Sequence, residues 1–240
     1  MNQQSKPPGL VNWTGHIALT LFLALPLSVL AVRSGAWQQG LLLYAIACFG
    51  SIVVLLLSAV LLLMPRFAPW RKAIAGRALL AIPGTALLLS LASGGGSARI
   101  HDITTDTQDP PTFTMAAQQR GTGSNSLEID QTVIAQQQQA YPDLQTIVSL
   151  LPLDEAYGLA LQVATDLGWE IYHQDRNAGV IEAVDTTRIM AFKDDVVIRL
   201  RSNPQGGTLL DLRSVSRVGE GDIGANAKRI RAFREAFQQG

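Results

Sequence analysis

Hydrophobic and polar positions fall into two regimes along this chain. Up to about residue 92 the apolar residues run on without a period, and beyond residue 152 they alternate or recur every three to four positions. The early part holds three long apolar runs, at 14–32, 40–64 and 73–92. A membrane-crossing helix needs about 20 mainly apolar residues. The pattern therefore predicts a transmembrane region over 1–92 with three spans. Pro26 lies inside the first run, while Arg77 and the pair Pro83 and Gly84 interrupt the third. Arg77, close to the start of its run, is expected to snorkel to the interface.

Periodicity is lost between 93 and 152. SGGGS at 93–97, the pair Pro110 and Pro111, GTGSNS at 121–126 and four glutamines at 136–139 predict a flexible linker and extended arm. A short helix is expected within it around 130–140.

From residue 153 the pattern returns. Leu153, Ala156, Tyr157, Ala160, Ala164 and Leu167 make a helical stripe, with Asp154 and Glu155 at its start and Gly168 past its end. Alternation then predicts strands at 169–174, 180–186, 194–202 and 208–218. The first places Trp169, Ile171 and His173 on one face; the third turns Val196, Ile198 and Leu200 inward. DRNAG and NPQGG supply turns. Asp222 is placed to cap a last helix that presents Ile223, Ala227, Ile230 and Phe237. Strands joined by short turns pair antiparallel. The fold class is α+β: a three-helix transmembrane region, then a two-layer domain over 153–240 built as helix, four antiparallel strands, helix.

Charge sharpens this division. The formal net charge is zero, yet residues 1–96 contain Lys6, Arg33, Arg66, Arg71, Lys72 and Arg77 and no Asp or Glu, and all 19 acids follow. Four of those bases lie between or just inside runs two and three, against Arg33 alone between runs one and two. The positive-inside rule places the former loop in the cytoplasm. The N-terminus is then cytoplasmic, and three crossings put the domain in the periplasm of a bacterial inner (plasma) membrane. Trp13, Trp37 and Trp70 fall near the expected interfaces. With no acid inside the runs, this half reads as an anchor in the lipid bilayer rather than a pump. The single cysteine, Cys48, rules out an intrachain disulfide and a cysteine-built metal site. The acidic second half argues against nucleic acid as a partner.

Chemistry-bearing residues are few. His101 and Asp102, with Asp106 nearby, form the one His–carboxylate cluster and are the candidate catalytic pair. A metal site would want a second histidine, for which only His173 is placed. VGEGDIG precedes a helix but lacks the parallel strand–helix–strand context of a dinucleotide site. No metal or cofactor is expected. On the strands, Arg199 and Arg201 share a face opposite Val196, Ile198 and Leu200, and Arg213 and Arg217 share a face opposite Leu210 and Leu212. If those strands are neighbours, four guanidiniums line the uncovered side of the sheet. They are the candidate binding residues for an anionic lipid, a glycan or an acidic protein surface. The alternatives are a solvated face balanced by Asp195, Asp211 and Glu182, or a linker that folds across and neutralises the patch through Asp102, Asp106 and Asp109.

Several stretches in order, IHDITTD, the prolines at 110–111 with Phe113, YPDL, FKDDVVIR and SVSRVGEGDIGANAKRIRAF, resemble the domain-of-unknown-function 1499 family over about 99–240. The resemblance implies a membrane-tethered domain of the kind found in bacteria and plastids, and it carries no activity. The reading is a membrane-anchored envelope protein that works as a binding module on the periplasmic side. An envelope hydrolase using His101 and Asp102 and a structural tether are the alternatives.

Overall fold

A computed structural model describes residues 6–93 and 100–240. It separates into two compact units that divide near residue 95. The glycine-rich hinge expected at 93–97 lies almost wholly outside the described residues.

The first unit is helical throughout. Helix α1 (Gly9–Arg33) and α2 (Trp37–Leu63) are followed by a 3-10 segment (Pro65–Trp70), α3 (Arg71–Ala78), a short 3-10 turn (Leu79–Ala81) and α4 (Ile82–Ser93). Gly9–Arg33, Trp37–Leu63 and Pro65–Ala92 are each long and apolar enough to cross a membrane. The third run is interrupted by the 3-10 turn just before Pro83, which itself falls in the first turn of α4, where proline lacks only an N–H the helix does not use. Small residues let the helices meet closely. A Cβ on Gly84 would stand 2.4 Å from Ser51 Oγ, and one on Gly40 would stand 2.5 Å from a Val32 methyl. Arg77 reaches the start of α1: its guanidinium donates to the Val11 carbonyl at 2.6 Å and to Asn12 Oδ1 at 3.0 Å.

The second unit runs β1 (Asp102–Thr104), α5 (Ala116–Gln119), α6 (Gln131–Ala140), β2 (Ile147–Ser149), α7 (Leu153–Asp166), β3 (Glu170–Asp175), β4 (Val180–Thr186), β5 (Lys193–Ser202), β6 (Thr208–Ser216) and α8 (Ala225–Gln239). Its sheet is antiparallel with the order β1-β6-β5-β4-β3, and β2 also pairs with β6. The α+β class stands, with six strands in place of the expected four. The two extra strands correct the arm: residues 100–152 are built into the domain. Asp102 pairs with Val215 at one end of β6, and Ser149 pairs with Thr208 at the other. Too short to show a period of two, these three-residue strands leave no alternation to read.

One face of the sheet meets α7 and α8. Ile181, Ala183, Val196, Ile198, Leu200, Leu210 and Leu212 pack there against Tyr157, Trp169, Ile230, Phe233 and Phe237. Two expectations need correction on this face. Ile223 is 62 % exposed, because the helix begins only at Ala225. His173 leaves the face of Ile171, because a bulge between them pairs Ile171 with Ala183 and His173 with Glu182. Asp222 does serve the helix start: its carboxylate accepts the N–H groups of Gly224 and Asn226.

The β5–β6 hairpin depends on Gly207. Its φ is +79°, and a Cβ there would stand 2.1 Å from the Ser149 carbonyl oxygen of β2. Gly207→Ala is expected to cost at least about 1–2 kcal/mol from the left-handed backbone alone, and to loosen β2 further. A urea titration of the purified protein checks this, and an unchanged midpoint would contradict it.

Candidate functional site

The opposite face of the sheet carries the charges. Register puts Asp195, Val197, Arg199 and Arg201 of β5 level with Val215, Arg213, Asp211 and Leu209 of β6, and Glu182 of β4 beside Val197. The expectation of an uncovered face is overturned. Residues 105–127 fold across it as a strap, leaving Val184, Val197 and Val215 at 5 %, 0 % and 0 % exposure.

Charged side chains of the sheet pin this strap at successive points. Arg199 donates to Asp109 at 2.9 Å and to Asp106 at 3.1 Å, and Arg201 donates to Asp106 at 3.1 Å and to Asp211 at 2.6 Å. Asp211 also accepts the Thr105 and Thr146 hydroxyls. Arg213, 1 % exposed, holds Asp102 through two bonds of 3.0 and 2.6 Å and reaches the carbonyls of Pro111 and Leu127. Its guanidinium also lies over the Phe113 ring. Glu182, 0 % exposed, accepts the backbone N–H groups of Thr114, Met115 and Ala116 and the Thr114 hydroxyl. It thereby satisfies donors at the start of α5 that would otherwise be orphaned. Asp195, also fully buried, bridges Arg217 and Arg120, with ion pairs of 2.8 Å to each.

The four arginines read from the sequence are therefore brought to one face but are not an open cationic patch. Arg213 is buried, Arg199 and Arg217 are 17 % and 13 % exposed at the side chain, and Arg201 alone reaches 39 %. Around the strap, five guanidiniums (Arg120, Arg199, Arg201, Arg213, Arg217) face six carboxylates (Asp102, Asp106, Asp109, Glu182, Asp195, Asp211). Of the readings available from the sequence, the folded-over linker matches this geometry.

His101 and Asp102 are not brought together as a dyad. Both Asp102 oxygens are engaged by Arg213, and it is the His101 carbonyl that makes contacts, accepting from Ser216 N and Asn226 Nδ2. No cluster of three or more metal-ligating side chains occurs among the described residues.

A second buried network went unread in the sequence. Arg229 of α8 donates to Asp194 and Asp185 at 2.6 Å each and to Ser214 at 2.9 Å, and Asn226 links Ser214 to Ser216. The signal was present, because Asn226, Arg229, Ile230, Phe233 and Phe237 recur at helical spacing on one stripe.

These contacts set a pH dependence. Burial alone would raise the Asp106 carboxyl, but N–H donors from Asp109 and Gln108 together with Arg199 and Arg201 outweigh it and hold the group below its ordinary 3.8. A carboxyl depressed on folding adds stability that is fully present above its unfolded value and is lost as pH falls through the folded one. The strap is thus expected to loosen below about pH 4. Proteolysis within 105–127 by an acid-active protease should rise there, and resistance equal to that at pH 6 would contradict this. Tyr172 moves the other way: burial raises its phenol, and Asp195 and Glu182 add to the effect.

A family model for proteins of unknown function, DUF1499, matches residues 102–237. The chain belongs to the DUF1499 family. The matched region starts at β1 and ends in α8, so the strap and both extra strands belong to the DUF1499 domain itself. No curated protein matches the chain.

Proposed function

We propose that the chain is a membrane-anchored binding module of the bacterial envelope. In this reading its N-terminus is cytoplasmic, its DUF1499 domain is periplasmic, and the domain engages a protein partner through the edge strand β2. The observation that carries the partner site is Leu150, 94 % exposed, two positions from Val148, 64 % exposed. Val148 lies at the centre of β2 and Leu150 just past its end, and the strand pairs with β6 alone. An edge strand with alternate apolar side chains suits an added extended segment, which gains main-chain hydrogen bonds from the edge and specificity from the side chains. Support for the sidedness comes from Arg66, Arg71, Lys72 and Arg77 clustering between the second and third spans.

Two experiments test the two parts. Fusions after Gly240 report the side: active alkaline phosphatase with a dark fluorescent protein supports the periplasm, and the reverse overturns it. A photo-crosslinking residue at Leu150 should give a discrete protein adduct in cells that the same residue at Gln162 does not. Val148→Asp in the Leu150-labelled protein should abolish the adduct, and persistence of the band would reject the β2 edge.

A further inference from the structure

The two ends of the β6 strand differ in what surrounds them. At the Thr208 end lie β2 and the hairpin at 203–207. At the Ser216 end lie the point where the chain joins the domain, the β4–β5 loop at 187–192 and the β6–α8 loop at 217–224. The join is firm. Ile100 is fully buried in the core, Ser216 N donates to the His101 carbonyl at 2.8 Å, and Arg217 N donates to the Lys193 carbonyl at 3.0 Å.

Both loops at this end project a large aliphatic side chain. Ile189 is 68 % exposed and Ile223 is 62 % exposed. Each loop also holds a non-glycine residue in the left-handed region, Ala191 at φ +55° and Ile223 at φ +54°. For a β-branched residue this is a true outlier, and such strain persists where the surrounding structure over-determines it. Core packing does not explain Ile223, whose side chain is outside the core. Lys193 and Lys228 are exposed nearby, and the exposed acids of the same end are Glu220 and Asp130, the latter within electrostatic reach of His101.

Tether length says what this end meets. Only residues 94–99 separate α4 from Ile100, and a chain that short reaches at most about 25 Å. Whatever its orientation, the domain stays within one domain diameter of the bilayer that holds the anchor. The joining end cannot lie farther than that reach from the end of α4.

We propose that this end of the domain docks on the bilayer, with Ile189 and Ile223 entering the interfacial layer and Lys193 and Lys228 facing the lipid headgroups. Two aliphatic side chains on separate loops insert as a pair, and flanking lysines favour anionic lipid. Docking turns the β2 edge, at the opposite end of a nine-residue strand, away from the membrane. The inference rests on the anchor lying in a bilayer and holds for either side of it, so it stands or falls apart from the sidedness and partner proposed above.

The test uses the full chain in liposomes of phosphatidylcholine with phosphatidylglycerol. In a Cys48→Ser background, Ile189→Cys, Ile223→Cys and Leu150→Cys are each labelled with an environment-sensitive fluorophore. The labels at 189 and 223 are expected to shift to the blue and to be quenched at least twofold more than that at 150 by a nitroxide placed shallow in the acyl chains. Ile189→Glu combined with the label at 223 should restore water-like emission. These sites are exposed, so loss of fold is not the expected cause, and circular dichroism of each variant confirms it. Water-like emission at 189 and 223, or equal quenching at all three sites, would overturn the proposal. So would a blue shift that appears only at high protein density, which would assign the patch to a second copy.

Discussion

Asp195→Ala is expected to destabilise the domain by about 3–5 kcal/mol. Fully buried, Asp195 faces Arg217 and Arg120, whose side chains are 13 % and 5 % exposed. Removing it leaves two guanidiniums in a water-poor seam without their counter-charge, and that uncompensated charge costs more than the lost attraction. The strap should release with it, since Arg120 and the Gln119 carbonyl are both tied to this point through Asp195 and Arg217. Urea titration followed by far-ultraviolet dichroism, with proteolysis at 105–127, reads both effects. A shift under 1 kcal/mol would mean that water reaches these arginines.

The second large effect is expected at Arg213, and its value lies in comparing one substitution with two. Arg213→Met alone strands Asp102 and removes the donor to the Pro111 and Leu127 carbonyls, for a loss of about 3–5 kcal/mol. Arg213→Met with Asp102→Leu removes both charges and keeps the volume, and replacing a buried pair by apolar residues is often close to neutral. The double variant should therefore be more stable than the single. Equal losses would show that Arg213 acts mainly through the carbonyls and the Phe113 ring rather than through Asp102.

Much of this arrangement was written in particular residues. The alternation along 194–202 and 208–216 assigned each side chain of β5 and β6 to its face, because register preserves a period of two. Leu153 to Ala164 and the α8 stripe were legible because their apolar positions recur at helical spacing, whereas Leu167, just past the end of α7, is 36 % exposed. What escaped was of two kinds. β1 and β2 are three residues long, below the length at which alternation means anything, and they exist because β6 offers them an edge. The bulge at Tyr172 displaced His173, since an extra residue in one strand shifts the parity of everything after it.

Arg199, Arg201, Arg213 and Arg217 mark the boundary between sequence and structure. Their common face followed from spacing alone, and so did the carboxylates available to meet them. Whether solvent, a ligand or the chain's own segment would meet them did not, because pairing between Arg213 and Asp102 spans 111 positions and leaves no local pattern. The sequence by itself determined the apolar anchor, the α+β class and the two faces of the sheet, since these depend on composition and period. Tertiary structure alone decided that the linker becomes a strap, that the charges are consumed beneath it, and that Leu150 at one end and Ile189 and Ile223 at the other stay exposed. Those outcomes depend on which distant segments fold against one another, and long-range packing rather than local preference sets that.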